Sequence, residues 1–304
     1  MEVKEGFLQK ERYKDIILTI GFYDGIHKGH QRILEEMVNQ AKKRRGKTCV
    51  ITFASYFDQS FFGEPLSFLT VREEKKEILA QIGIDLVIIL AFTPQLASLS
   101  PYSFMKRLGQ NLEIKEIIVG EDFVFGKGRE GNVDWLKEKE EIFGYKLKVI
   151  PLLKIGKEKL SSSLIRGWLR KGEIEKVTQW LGRYPTVLGK VVKGKRRGRN
   201  LGYPTANLEP ELHKLLPGVG VYAGRISLKG KTYRGIINVG SKPTFGDTSF
   251  GVEVHILRFK GDIYEEPIKI ELAARLREIE EFPSHLYLTK KLEEDSKRVE
   301  RIKL

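Results

Sequence analysis

Ile16-Ile17-Leu18-Thr19-Ile20-Gly21-Phe22-Tyr23-Asp24-Gly25-Ile26-His27-Lys28-Gly29-His30 runs from an apolar strand through three glycines into a basic amphipathic helix over 30–44. In an open parallel sheet, ligands bind at the carboxyl ends of strands. A helix N-terminus there turns unpaired N–H groups and a positive dipole end toward an anion. Gly21, Gly25 and Gly29 let the backbone bend and approach a phosphate closely. His27 and His30, three apart, can both donate to phosphoryl oxygens as charge develops there. An isolated histidine pair is more often a surface cap; the strand, glycine and helix context is what favours the phosphate reading.

The same alternation continues outward from this stretch. Strands are expected at 48–53, 86–90, 117–119 and 147–151, with helices at 72–82, 102–108 and 134–143, then at 162–171 and 174–181. Short apolar strands separated by helices imply βαβ units and a doubly wound parallel sheet. After Tyr184-Pro185 the pattern becomes short strands between Gly/Pro turns, at 186–192, 220–226, 233–239, 252–257 and 268–276, followed by a helix over 286–303. Regular strands without intervening helices predict a closed antiparallel barrel. The fold class is therefore α/β with two domains, 1–184 and 185–304, the second an antiparallel β-barrel with a terminal helix.

Composition narrows the class. The 304 residues include 54 Lys+Arg, 40 Asp+Glu and one cysteine, Cys49. One cysteine excludes an intramolecular disulfide framework and any multi-cysteine zinc site, which suits a reducing, cytoplasmic setting. No segment reaches the ~20 apolar residues of a membrane span, and the charged N-terminus is unlike a signal peptide. The net charge of +14 is spread along the chain, since residues 185–304 hold 23 basic and 15 acidic residues. The one dense run, Lys195-Arg196-Arg197-Gly198-Arg199, suits nucleotide phosphates as well as RNA. It lacks the interleaved aromatics of a stacking platform, so small-molecule partners are expected rather than nucleic acid or membrane. Composition does not address oligomeric state.

Three motifs carry the chemistry of the first half. The Gly21–His30 stretch resembles the HxGH signature of the nucleotidyltransferase superfamily. Ser161-Ser162-Ser163-Leu164-Ile165-Arg166 resembles its SSTxIR motif, with Ser163 keeping the hydroxyl of threonine. Physically, the serines can cap the helix that follows while Arg166 reaches a phosphate. Between them, Gly120-Glu121-Asp122-Phe123-Val124-Phe125-Gly126-Lys127-Gly128-Arg129-Glu130-Gly131 is similar to the GxDFxFGxxRxG block of the FAD synthetases. The resemblance implies ATP-binding residues Gly21, Phe22, Asp24, Gly25, His27, Gly29, His30, Ser162, Ser163 and Arg166, of which His27 and His30 are catalytic. It implies FMN-binding residues Asp122, Phe123, Phe125 and Arg129.

In the second half, Gly194-Lys195-Arg196-Arg197-Gly198-Arg199-Asn200-Leu201-Gly202-Tyr203-Pro204-Thr205-Ala206-Asn207 gathers glycines, basic residues and two oxygen ligands in one loop. Glycine N–H groups cradle phosphates, and a Thr hydroxyl and an Asn carbonyl suit Mg²⁺. The loop resembles the GxxxGRxxGxPTAN motif of riboflavin kinases, which implies Gly194, Gly198, Arg199, Gly202, Pro204, Thr205 and Asn207 at ATP, with Thr205 and Asn207 on the metal. Downstream, Gly251–Leu257 alternates, placing Val252, Val254 and Ile256 on one face and Glu253, His255 and Leu257 on the other. Phosphoryl transfer to a primary alcohol calls for a carboxylate that takes its proton. By family position Glu253 is that base, and Arg277 and Phe282 are flavin contacts. Glu265 stands where the family usually has glycine in its DxYG turn.

In order and extent these motifs resemble the prokaryotic bifunctional riboflavin kinase/FAD synthetase family. That resemblance implies riboflavin and ATP giving FMN at the barrel, then FMN and ATP giving FAD and pyrophosphate at the first domain, both with Mg²⁺. The family's FxPHP segment is replaced by Phe53-Ala54-Ser55-Tyr56-Phe57. The alternative is therefore a riboflavin kinase alone, with a weakened adenylyltransferase domain.

Overall fold

The structure is a computed structural model. It describes the backbone of residues 1–57, 67–193, 205–242 and 247–302, and their side chains except those of residues 55–57, 241, 242, 247–249 and 285. Gly194, Gly198, Arg199, Gly202 and Pro204 lie outside the described residues.

The first half runs β1 (Glu2–Glu5), β2 (Tyr13–Ile20), α1 (Lys28–Arg44), β3 (Lys47–Phe57), α2 (Arg72–Ile82), β4 (Leu86–Phe92), α3 (Pro94–Ala97), α4 (Pro101–Gly109) and β5 (Leu112–Gly120). It continues through β6 (Val124–Phe125), β7 (Gly131–Asn132), α5 (Val133–Glu138), α6 (Glu140–Phe143) and β8 (Lys146–Ile150). Six strands form one parallel sheet in the order β1-β4-β3-β2-β5-β8. Successive residues of a strand face opposite sides, and the core divides accordingly. Ile16, Leu18, Cys49, Ile51 and Ile117 pack on one face with α4 and α5 residues Phe104 and Leu136. Ile17, Val50, Val87 and Ile118 pack on the other with α1 and α2 residues Leu34, Met37 and Leu79. From β2 the chain winds one way to β3 and β4, and after β4 it returns to β5 on β2's other side. The turn after β2 thus sits at the switch point of the sheet, where ligands bind in this architecture.

A hairpin, β9 (Lys154–Ile155) with β10 (Glu158–Lys159), precedes α7 (Ser162–Arg170) and α8 (Ile174–Leu181). A closed barrel follows in the order β11 (Thr186–Val192), β12 (Ala206–Pro210), β15 (Asp247–Ile256), β14 (Lys231–Lys242), β13 (Gly220–Leu228) and β16 (Pro267–Arg277), antiparallel throughout, and α9 (His285–Arg301) ends the chain. Val299 of α9 packs with Val221, Ala223, Ile236, Leu257 and Leu276 on the outer face of the barrel.

Three details depart from the sequence reading. β1 is a strand although its Glu-Val-Lys-Glu has no apolar run, because it is the sheet edge and takes its hydrogen bonds from β4 alone. Ala206–Pro210 is a strand rather than the end of a loop, pairing with both β11 and β15 and making the barrel six-stranded. The helix expected over 134–143 breaks at Lys139 into α5 and α6. Contacts divide the chain into one compact unit of 1–68 and 72–161 and a second of 69–71 and 162–304. The change of pattern at Tyr184-Pro185 therefore falls inside the second unit. Within that unit, α7 and α8 pack with the barrel, and the Gly218 N–H donates to the Leu169 carbonyl at 2.9 Å.

Candidate functional sites

The turn between β2 and α1 is wound by three left-handed residues, Tyr23 (φ 49°), Gly25 (φ 82°) and Ile26 (φ 39°). Two of them carry side chains, and such conformations persist only where the surroundings over-determine them. Here Tyr23 is 3% exposed. The single hydroxyl proton of Thr19 goes to the Ile118 carbonyl (2.6 Å), so the Tyr23 hydroxyl donates to Thr19 Oγ1 (2.6 Å). The ring so fixed meets His30 edge-on at 5.0 Å.

His27 is the N-cap of α1, and its Nδ1 accepts from the His30 N–H at 3.4 Å. A neutral imidazole accepting at Nδ1 carries its proton on Nε2, which is then a donor. The two rings stack with centroids 3.7 Å apart, and a Cβ at Gly29 would lie 3.1 Å from the His27 ring. Burial, with His27, Lys75 and Lys159 adding to it, holds His30 well below the usual imidazole range, so the ring is neutral and has one N–H to offer. The first turn of α1 holds no acidic residue, while Lys42, Lys43 and Arg44 occupy its last. The positive end of the helix dipole is left for an anion from outside the chain. The structure thus brings Gly21, Asp24, Gly25, His27, Gly29 and His30 together in one turn, with Asp24 buried within it.

The sequence reading missed Lys75, and it named Phe22 without the rings that flank it. Lys75 of α2 reaches this turn, its Nζ donating to the Phe22 carbonyl (2.7 Å) and to Thr52 Oγ1 (3.1 Å). The only signal was that Lys75 sits one turn before the buried Leu79, on the inward face of α2. Phe22 just past β2, Phe53 within β3 and Phe92 at the end of β4 form a ring cluster with centroids 4.7–5.9 Å apart, and Phe22 remains 41% exposed. A planar ligand could stack on such a surface.

Elsewhere in the first unit, Phe123 and Phe125 stack at 5.4 Å, and Phe125 meets Trp135 edge-on at 5.6 Å. Asp122 forms an ion pair with Lys159, and Arg129 is exposed in a left-handed turn (φ 61°). Ser162, Ser163 and Arg166 open α7 in the second unit, where Arg166 donates to Ser163 Oγ at 3.4 Å.

On the barrel, direct register pairs join Asn207 to Glu253 and Glu253 to Asn238 across β12, β15 and β14. Opposed residues of an antiparallel sheet share a face, so these three polar side chains form one row. Thr205 Oγ1 donates to Glu253 Oε1 at 3.4 Å. Val252, Val254 and Ile256 are all buried on one face of the pleat, and His255 on the other face is buried as well, so burial itself does not alternate beyond Val254. Glu253 therefore stands on the face opposite them, beside His255. Asn238 was not foreseen, because only strand pairing brings it to Glu253.

Arg277, at the end of β16, donates from Nε to Asp295 Oδ2 of α9 (2.9 Å) and from Nη1 to the Glu278 carbonyl (3.1 Å), and lies 5.5 Å from the Phe282 ring centroid. Asp295 is fully buried; burial pushes its carboxyl up while Arg277 opposes that shift. Glu265, at the position where the family usually has glycine, keeps a left-handed backbone (φ 66°) and forms an ion pair with Lys190.

Each half of the chain matches a known family. Residues 9–164 match the FAD synthetase family and residues 181–303 the riboflavin kinase family. The bifunctional riboflavin kinase/FMN adenylyltransferase of Bacillus subtilis is 30% identical over 95% of this chain and 92% of its own length. The enzymes of the same name from Listeria monocytogenes and Buchnera aphidicola are 32% and 36% identical, covering 84% and 86% of this chain and 82% and 85% of theirs. A crystal structure described as a macrolide-efflux protein from Streptococcus pneumoniae superimposes with a TM-score of 0.87 at 27% identity, covering 100% of both chains. Among the described residues here, no helix is long and apolar enough to cross a membrane. With both catalytic families matched in order and relatives aligned over most of their length, this chain belongs to the bifunctional riboflavin kinase/FMN adenylyltransferase family.

Proposed function

We propose that this chain makes FAD in two steps, phosphorylating riboflavin with ATP to FMN and then adenylylating FMN with ATP to FAD and pyrophosphate. The observation that carries this reading is the presence of two separate polar constellations, the His27–His30 turn and the Thr205–Asn207–Glu253 row, each within the segment that matches the corresponding family. Nothing favours the reduced alternative of a kinase alone, since the Gly21–His30 turn is complete on its own terms.

In the first reaction Glu253 takes the proton from the primary hydroxyl of riboflavin as that oxygen attacks the terminal phosphoryl group of ATP and ADP departs, and Thr205 orients the carboxylate. The ATP phosphates lie along the loop of Gly194, Gly198, Arg199, Gly202 and Pro204, while Arg277 and Phe282 flank the flavin. Thr205 and Asn207 supply neutral oxygens beside the Glu253 carboxylate, a donor set that suits Mg²⁺ completed by phosphate and water. Thr205 and Asn207 would hold that ion, which when bound would supply charge neutralisation at the phosphates.

In the second reaction His27 Nε2–H and neutral His30 donate to phosphoryl oxygens of ATP as charge moves onto the departing pyrophosphate. The α1 dipole acts in the same direction. Ser162, Ser163 and Arg166 bind phosphate, and Asp122, Phe123, Phe125 and Arg129 hold FMN. Adenylyl transfer is assigned to residues 1–184 and the kinase to 185–304. The partners are flavins and adenine nucleotides rather than nucleic acid or membrane, and the setting is cytoplasmic, as the lone buried Cys49 suggests. Incubation with riboflavin, ATP and Mg²⁺ followed by chromatography should show FMN rising first and FAD replacing it. FMN without FAD would overturn the second activity, and unchanged riboflavin would overturn both.

A further inference from the structure

Lys75 occupies a costly position. Burying an ammonium costs several kcal/mol unless partners replace its water, and Lys75 is only 7% exposed. Its partners all belong to the strand-end site. The ammonium donates to the Phe22 carbonyl at 2.7 Å and to Thr52 Oγ1 at 3.1 Å, and the Thr52 hydroxyl donates to that same Phe22 carbonyl at 3.1 Å. One peptide oxygen is thus held from two directions, by α2 and by β3. The peptide concerned joins Phe22 to Tyr23, where the chain leaves β2 and enters its left-handed turn. The buried carboxylate of Asp24 attracts the ammonium, and the Lys75 charge also acts on His30. A side chain that merely filled space between α2 and the sheet would be apolar, as Leu79 is on the same helix.

We propose that Lys75 is a positioning residue for adenylyl transfer: its ammonium clamps the Phe22–Tyr23 peptide and so fixes the turn that presents Asp24, His27 and His30 to the nucleotide phosphates. Lys75 acts through the Phe22 carbonyl. Strain at Tyr23 and Ile26 explains why two clamps are needed, since a turn in an unfavourable conformation relaxes when its restraints go. Misplacement by an ångström at a phosphoryl-transfer site is enough to lower turnover by up to about 10²-fold. The inference rests on assigning adenylyl transfer to the β2–α1 turn, and the experiment separates the two.

Full-length protein is assayed for FAD formation from FMN and ATP with Mg²⁺, and for riboflavin phosphorylation on the same preparation as a control for folding. Lys75→Met keeps the length and removes the donors. Its kcat for FAD formation should fall about ten-fold or more, with KM for ATP changed less than about three-fold and riboflavin phosphorylation unchanged. Lys75→Arg restores charge and donors and should recover most of the lost kcat. Thr52→Val removes one of the two clamps and should cost about three-fold in kcat. FAD formation by Lys75→Met within about two-fold of wild type overturns the proposal. So does equal impairment of Lys75→Met and Lys75→Arg, which would mark a packing role. If Lys75→Met does not fold, Thr52→Val decides, and a wild-type kcat there overturns the clamp. His30→Ala run alongside tests the site itself: normal FAD formation by that variant removes the turn from the reaction, whereas an impaired His30→Ala beside a normal Lys75→Met removes only Lys75.

Discussion

The two sites are built in opposite ways. The strand-end site is nearly contiguous in sequence, its residues falling within Gly21–His30, and its geometry is fixed from behind by Thr19, Thr52, Ile118 and Lys75. The barrel site has no such continuity. Thr205 and Asn207 lie on one side of Glu253 and Asn238 on the other, from three strands, and register alone unites them. A contiguous turn at a sheet switch point is restrained locally and tolerates change elsewhere. A row across strands has less support behind each side chain, and in the proposed reaction its central carboxylate carries more of the chemistry.

That contrast predicts unequal losses. Glu253→Gln should give the largest effect: the amide keeps the shape but cannot take a proton, so FMN formation should drop by about 10²–10⁴-fold. FAD formation from supplied FMN should remain at the wild-type rate. Kinase activity near wild type in this variant would show that the row is a structural ladder rather than a site. His30→Ala should cost about 10²–10³-fold in FAD formation, the usual loss for one donor to a developing phosphoryl charge. His27 and the α1 dipole persist in that variant, so a residual rate is expected. FMN should accumulate in a coupled assay, and the ratio of FMN to FAD over time measures it. An unaltered ratio would break the comparison at its stronger end.

What could be read from sequence follows the same division. The parallel sheet was legible because its central strands are buried on both faces and therefore apolar throughout, and the His27–His30 turn because its glycines and histidines are adjacent. The edge strand β1 was not legible, as charged side chains suit an edge and erase the apolar signal. β12 was hidden because Pro-Thr-Ala-Asn has the composition of a loop, and only its pairing with β11 and β15 makes it a strand. Asn238, Asp295 and Lys75 share one reason for being missed. Each is a polar residue on an element with no motif, and its role depends on what tertiary packing places beside it. Glu265 shows the converse, a glycine-like backbone conformation surviving the loss of glycine.

The boundary between the units offers a further test. Sequence pattern puts it near Tyr184, whereas α7 and α8 belong with the barrel. Ile174, Val177 and Leu181 of α8 are buried, and α8 packs on β16. Burying each such side chain contributes ~1.5–3 kcal/mol, so a fragment of residues 185–304 should be at least about 2 kcal/mol less stable than one of residues 162–304. Urea unfolding midpoints of the two fragments, with riboflavin phosphorylation as the readout of a native barrel, measure the difference. Equal midpoints would return the boundary to Tyr184 and make the two helices passengers of the first unit.

The smallest effect concerns Lys75 and pH. Burial pushes this ammonium down from its ordinary 10.5 to about 8, against the attraction of Asp24, with His30 nearby held neutral. Below about pH 8 the lysine is protonated in both folded and unfolded chains, and the folded chain bears the cost of burying the charge. Between about 8 and 10.5 the folded chain has released a proton that the unfolded chain still binds, so this group makes stability rise with pH. Cys49 works in the other direction. Burial raises its thiol above the ordinary 9.0, so the unfolded chain ionises first and stability falls as pH passes that value. Tyr23 and Tyr145, raised by burial in the same way, add to that fall from about pH 10. Wild-type protein therefore shows opposing slopes that partly cancel, and the lysine is isolated only by difference. From about pH 8 to about 9.5, wild type should gain about 1–2 kcal/mol relative to Lys75→Met in unfolding free energy measured by urea titration. A difference that stays constant across this window would mean that Lys75 keeps its proton there as a surface lysine does, with Asp24 outweighing burial. The clamp on the Phe22 carbonyl would then remain charged throughout the alkaline range.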